Sequence, residues 1–134
     1  MAVATEAGID AAQIAVGGDS AGANLSVALI NQLRADSEEV PACAWLVSPW
    51  TDLSMSGQTM ATKDAVDPLM HKGHLQDLAD AYVPAGMDPK DPNISVVNAD
   101  LAGLPPTLSR WDRRRRCWMT PADSRAQRAP PAYP

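Results

Sequence analysis

The strongest hydrophobic pattern lies near the start of the chain. Gln13-Ile14-Ala15-Val16-Gly17 is a short apolar run without polar alternation, the pattern of a strand buried on both faces of a parallel sheet. Gly17 and Gly18 are expected to end it. From Ala21 to Ala35 the period changes, with Ala21, Leu25, Ala28, Leu29 and Leu33 recurring at helical spacing. This reads as an amphipathic helix stopping near Asp36 and Ser37. Ala42-Cys43-Ala44-Trp45-Leu46-Val47 is a second buried strand, closed by Ser48-Pro49. Strand, helix and strand in this order form a βαβ unit with a parallel pair and a right-handed crossover, so the fold class is α/β.

Downstream the pattern weakens. The stretch from Asp52 to Lys63 is polar and irregular. A second helix is expected over Gly73–Val83, with Leu75, Leu78, Ala79 and Tyr82 on one face and Pro84 and Gly86 ending it. Leu104-Pro105-Pro106-Thr107-Leu108 reads as the lead-in to a third strand that does not arrive. Residues 109–134 have neither helical nor strand period and are expected to form a disordered tail.

Charge divides the chain at the same place. Residues 1–108 hold Arg34, Lys63, Lys72 and Lys90 against fourteen acidic side chains, whereas residues 109–134 hold seven Arg against Asp112 and Asp123. A sign reversal at one point indicates segments of different origin. The N-terminal residues show no basic start followed by an apolar core, and no apolar run reaches the ~18 residues of a membrane span, so a cytoplasmic protein is expected. Cys43 and Cys117 are too far apart for a metal knuckle or a redox pair, and Cys43, in an apolar run, is expected to be a buried thiol.

Gly18-Asp19-Ser20-Ala21-Gly22 fits the pattern G-x-S-x-G. Such a match arises by accident in roughly 4% of chains this long, so its placement carries the weight. The serine lies between an expected buried strand and an expected helix, as a nucleophile elbow requires. An elbow needs small neighbours, because the chain reverses sharply at a residue with strained backbone angles. Gly18 and Gly22 leave that room, and Ala21 does not obstruct it. Ser20 Oγ would point out of the sheet, and the Ala21 N–H, at the start of the helix, is the natural first donor to an oxyanion. Asp19 is expected to be a structural carboxylate held by hydrogen bonds rather than a base. The bland alternative is a Gly-Ser turn without chemistry.

The likeness extends beyond the elbow. The stretch from Ile9 to Leu25, then Ser48-Pro49-Trp50-Thr51-Asp52-Leu53-Ser54, Asp67-Pro68-Leu69 and Ala99–Pro106 together resemble, in order, blocks of the hormone-sensitive-lipase-like esterases, an α/β-hydrolase family. The resemblance implies a partial α/β-hydrolase domain over residues 1–108, with the elbow at 14–35, a strand at 42–49 and a cap region at 52–98. It further implies hydrolysis of short- to medium-chain carboxylic esters, with Ser20 as nucleophile, an acyl-enzyme intermediate and no cofactor or metal. Three parts of the family pattern are not legible: the HGGG loop that completes the oxyanion hole, the acidic triad member and the triad histidine. His71 and His74 fall in the cap-like region, where exposed side chains are expected, and no carboxylate or Cys partner makes them a metal pair.

Arg113-Arg114-Arg115-Arg116 invites a nucleic-acid reading, but the run is short and no domain presents it. A one-base frame change explains the tail better. Shifted back by one base, the codons of Trp111-Asp112 force glycine at position 112. Those from Cys117 to Thr120 force leucine at position 118 and aspartate at 119 and 120. Permissible codons complete the segment as Ile-Gln-Val-Gly-Ser-Ala-Glu-Ala-Leu-Leu-Asp-Asp, which resembles the family's next strand and acidic segment. The sequence therefore leaves open an active esterase, a catalytically dead remnant of one, a small protein binding through its basic tail, and a cap-helix interaction module. It does not give the oligomeric state.

Overall fold

The computed structural model describes residues 8–57, 60 and 70–111. Asp10 caps a 3-10 turn at Ala11–Gln13 by accepting a hydrogen bond from the Ala12 N–H at 2.8 Å. The chain then enters strand β1 (Ala15–Asp19), helix α1 (Ala21–Ala35) and strand β2 (Cys43–Val47). Helix α2 (Lys72–Tyr82), a 3-10 turn (Val96–Asn98) and strand β3 (Thr107–Arg110) follow. The described strands form one parallel sheet in the order β1-β2-β3. The βαβ unit expected from the sequence is present, and α1 spans the expected residues.

Two expected boundaries shift. Gly17 and Gly18 do not end β1 but lie inside it, paired with Trp45 and Leu46. Their lack of a side chain permits close approach rather than a break: a Cβ on Gly17 would lie 2.9 Å from the Trp45 carbonyl oxygen, and one on Gly18 only 2.2 Å from the Gly22 carbonyl group. The third strand does arrive. Thr107, Leu108, Ser109 and Arg110 align with Ala44, Trp45, Leu46 and Val47. Parallel pairing uses the backbone: Ala44 N–H donates to Pro106 O at 3.0 Å and Ser48 N–H to Arg110 O at 2.7 Å. A strand only four residues long need not announce itself in side-chain pattern. The tail beyond residue 111 lies outside the described residues.

One face of the sheet is covered. Ala23, Val27 and Ile30 of α1 pack with Ala44, Leu46 and Val96, joined at the margin by Val16, Val40, Leu101 and Leu104. Ile14, Val16 and Val47 are half-buried, and Leu46 is buried. The opposite face is open among the described residues, with Trp45 57% and Leu108 67% exposed. Cys43 lies on that face and is exposed, so the buried thiol is corrected by the strict alternation of β2.

A second cluster joins Trp50, Leu53, Met55 and Met60 to Leu75 and Ala79 of α2 and to Ile94. Leu78 and Tyr82, expected on the same buried face as Leu75, are 44% and 47% exposed. The stripe that α2 buries is narrower than its apolar residues imply. Asn24 joins the two clusters: its side-chain amide donates to Ile94 O at 2.9 Å and accepts from the Val96 N–H at 3.2 Å.

Candidate functional site

The site is built where β1 meets α1. Ser20 is the residue before the helix and has φ 56° and ψ −117°, a combination that a side chain adopts at a cost of about 1–3 kcal/mol. Such a conformation persists only when its surroundings fix it. Here they do: the Ser20 N–H donates to Val47 O at 2.9 Å, and the Ser20 carbonyl accepts from Ala23 N–H and from Trp50 N–H, each at 3.1 Å. Both backbone groups of the serine are therefore anchored, to β2, to the first turn of α1 and to the loop after β2.

A serine before a helix usually turns its hydroxyl to cap the helix's unpaired N–H groups. Ser20 makes no such bond. Ala21 opens α1, so its N–H has no partner within the helix and stands at the positive end of the helix dipole. A half-buried hydroxyl beside unpaired N–H groups at a strained strand-to-helix turn suits attack on a carbonyl carbon and stabilisation of the oxyanion that results.

The glycines divide their roles unevenly. Gly18 is required by the close approach of the Gly22 backbone, whereas a Cβ on Gly22 would meet nothing within 4 Å. The expectation that both supply room holds for Gly18 alone, because the Cα–H of Gly22 points away from the strand. Asp19 also differs from expectation. Its carboxylate is exposed on the open sheet face, in register with Val47 and Arg110, and among the described residues no hydrogen bond holds it. His71 and His74 are exposed at the start of α2.

Two supporting residues were not apparent from the sequence. Asn24, 2% exposed, ties the first turns of α1 to the segment at 94–96. Asp52, 5% exposed, organises the loop after β2. Burial by itself would raise the Asp52 carboxyl above its ordinary range, but hydrogen bonds from the side chains and backbone of Ser54 and Ser56 outweigh it and hold the group below that range.

A parallel sheet whose first strand feeds a strained serine at the N-terminus of a helix is the nucleophile-elbow geometry of α/β hydrolases. Comparison with known proteins agrees. Residues 1–111 match the model of a family described as having the alpha/beta hydrolase fold, and the chain belongs to that family. An acetyl-hydrolase from Streptomyces hygroscopicus is 40% identical over 103 residues, covering 77% of this chain and 34% of the relative. An esterase from Acinetobacter venetianus is 37% identical over 101 residues, covering 75% of this chain and 33% of the relative. The structure of an esterase from the bacterial hormone-sensitive lipase family superposes with a TM-score of 0.82 at 36% identity, over 92% of this chain and 40% of that one. The chain thus spans about a third of the length of these two relatives. Among the described residues no helix is long and apolar enough to cross a membrane.

Proposed function

We propose that this chain carries the nucleophile segment of a serine carboxylic-ester hydrolase, with a small-molecule ester as substrate. The observation that carries the reading is Ser20: a non-glycine residue with φ 56°, anchored through both backbone groups, whose hydroxyl is not spent on capping. In the reaction Ser20 Oγ adds to the ester carbonyl carbon while its proton passes to a base. The Ala21 N–H donates to the oxygen that becomes negative. Collapse of the tetrahedral species breaks the ester C–O bond and releases the alcohol, and water then cleaves the acyl-serine to the carboxylic acid. Gly18 lets the strand and helix meet closely enough to present the serine.

The chain on its own is expected to turn over esters weakly or not at all. Neither a triad histidine nor a triad acid is legible in its sequence, and enzymes of this kind lose several orders of magnitude without their general base. A remnant with no enzymatic role is the second reading, favoured by the reversal of charge after residue 108 that the frame change explains. The out-of-frame origin of the tail belongs to the same proposal, supported by the family match ending at residue 111. The test is hydrolysis of p-nitrophenyl acetate and butyrate by the chain and by Ser20→Ala. Weak turnover that Ser20→Ala abolishes supports the esterase reading, and turnover equal in the two proteins overturns it.

A further inference from the structure

Four donors converge on a single carboxylate just beyond β2. Asp52 Oδ1 accepts the Ser54 N–H at 3.0 Å and the Ser54 hydroxyl, and Oδ2 accepts the Ser56 N–H at 2.9 Å and the Ser56 hydroxyl at 2.7 Å. The backbone carbonyl of the same residue accepts the Trp50 indole N–H at 3.0 Å and the Met55 N–H at 3.2 Å. Asp52 thereby closes residues 50–56 into one loop around itself. Surface turns often use an Asp side chain to accept a neighbouring N–H. This one is buried, so its charge is retained only because both of its oxygens are satisfied.

The loop reaches the candidate nucleophile. Trp50 is 5% exposed and held at two points: its indole on Asp52 O, and its backbone N–H on the Ser20 carbonyl at 3.1 Å. The far side is fixed as well, with Leu53 N–H on Ser95 Oγ at 2.8 Å and Val97 N–H on Thr51 O at 3.2 Å. The loop is not at rest by itself, since Ser48 and Met55 both have left-handed backbones, φ 42° and φ 51°. Something must offset that cost, and the Asp52 hydrogen bonds are among the interactions in place to do so.

We propose that Asp52 is a positioning residue for Ser20, acting through the loop whose Trp50 N–H holds the Ser20 carbonyl. The inference rests on the reading of Ser20 as nucleophile. It adds that the serine's presentation depends on a carboxylate 32 positions further along the chain that makes no contact with the ester. Removing the carboxylate releases the loop, takes the Trp50 N–H from the Ser20 carbonyl, leaving only the Ala23 N–H on it, and loosens the hold on φ 56°.

The test uses the whole chain in four forms: unaltered, Asp52→Asn, Asp52→Ala, and the pair Ser54→Ala with Ser56→Ala, which keeps the carboxylate but removes two of its donors. Backbone hydrogen exchange is followed at Ser20 and Trp50, with the C-terminal half of α1, which packs in the other cluster, as an internal reference. In Asp52→Ala exchange at both positions rises about tenfold or more relative to that reference, as expected for loss of bonds to a charged acceptor. The serine pair gives a smaller rise in the same places and keeps the test valid should Asp52→Ala fail to fold. A fluorophosphonate supplies the second readout: the maximal inactivation rate at Ser20 falls about tenfold while the reagent concentration for half-maximal rate is unchanged. Exchange that rises only at Ser54 and Ser56, with Ser20 and Trp50 as protected as before, overturns the proposal. Failure of the unaltered chain to label at Ser20 would instead count against the esterase reading, and the exchange data would still decide whether Asp52 holds Ser20.

Discussion

Gly18 and Gly22 lie against each other across the elbow, so close that a Cβ on Gly18 would fall 2.2 Å from the Gly22 carbonyl carbon and oxygen. The contact is backbone on backbone and cannot yield by a rotamer change. Gly18→Ala is therefore expected to cost about 3 kcal/mol or more, at the upper end of overpacking penalties. Gly22→Ala meets open space in the first turn of α1 and should be neutral or stabilise by up to about 1 kcal/mol through helix propensity. Urea unfolding of the two variants, compared with the unaltered chain, separates them by the sign of the change.

Asn24 bridges elements seventy residues apart and leaves two buried backbone groups unpaired when removed. Asn24→Leu is expected to destabilise by about 2–4 kcal/mol, despite its added apolar volume, because Ile94 O and Val96 N–H lose their partner. A denaturation midpoint equal to or above that of the unaltered chain would contradict the bridging role.

The pH dependence of stability follows from Asp52. Its carboxyl is held below the ordinary range in the folded chain, while in the unfolded chain it titrates in that ordinary range. As pH falls, the unfolded state therefore takes up the proton first. The stabilisation is fully present above the ordinary carboxylate range and is lost progressively as pH drops through the lowered folded value. Asp52→Asn should remove this part of the acid limb from a plot of unfolding free energy against pH. An acid limb of the same depth in the variant would show that other carboxylates produce it.

Because Ser109 and Arg110 pair with Leu46 and Val47, removal of residues 109–134 should weaken the sheet, whereas removal of residues 112–134 should leave the unfolding midpoint unchanged. Sequencing the gene around codons 108–111 tests the cause: the alternative frame should run on without a stop codon through the forced Gly and Leu-Asp-Asp positions. A stop codon there, or a lowered midpoint on removing 112–134, would make the Arg cluster part of a selected sequence.

The βαβ unit and the elbow were legible in the chain because their determinants are local. The change from a continuous apolar run to helical spacing occurs within a few residues, and the glycines flank the serine at fixed offsets. What was not legible depends on partners far away in sequence. The length of β3 is set by β2 and not by its own side chains. Cys43 and Trp45 look like core residues in an apolar run, yet alternation places them on the sheet face that no described element covers. Asp19 stands inside the motif but turns toward that same face, and Asn24 and Asp52 gain meaning only from the bonds that they make in the folded chain.

The central claim is that Ser20 is presented as a nucleophile, and covalent labelling tests it most directly. The whole chain and Ser20→Ala are incubated with a fluorophosphonate, digested, and the modified residue is located by mass spectrometry. The account predicts slow formation of a single adduct per chain on the peptide containing Ser20, disappearing in Ser20→Ala, with a rate orders of magnitude below that of a complete triad. An adduct distributed over other hydroxyls such as Ser26, Ser37 and Ser48, or one that persists in Ser20→Ala, would contradict it.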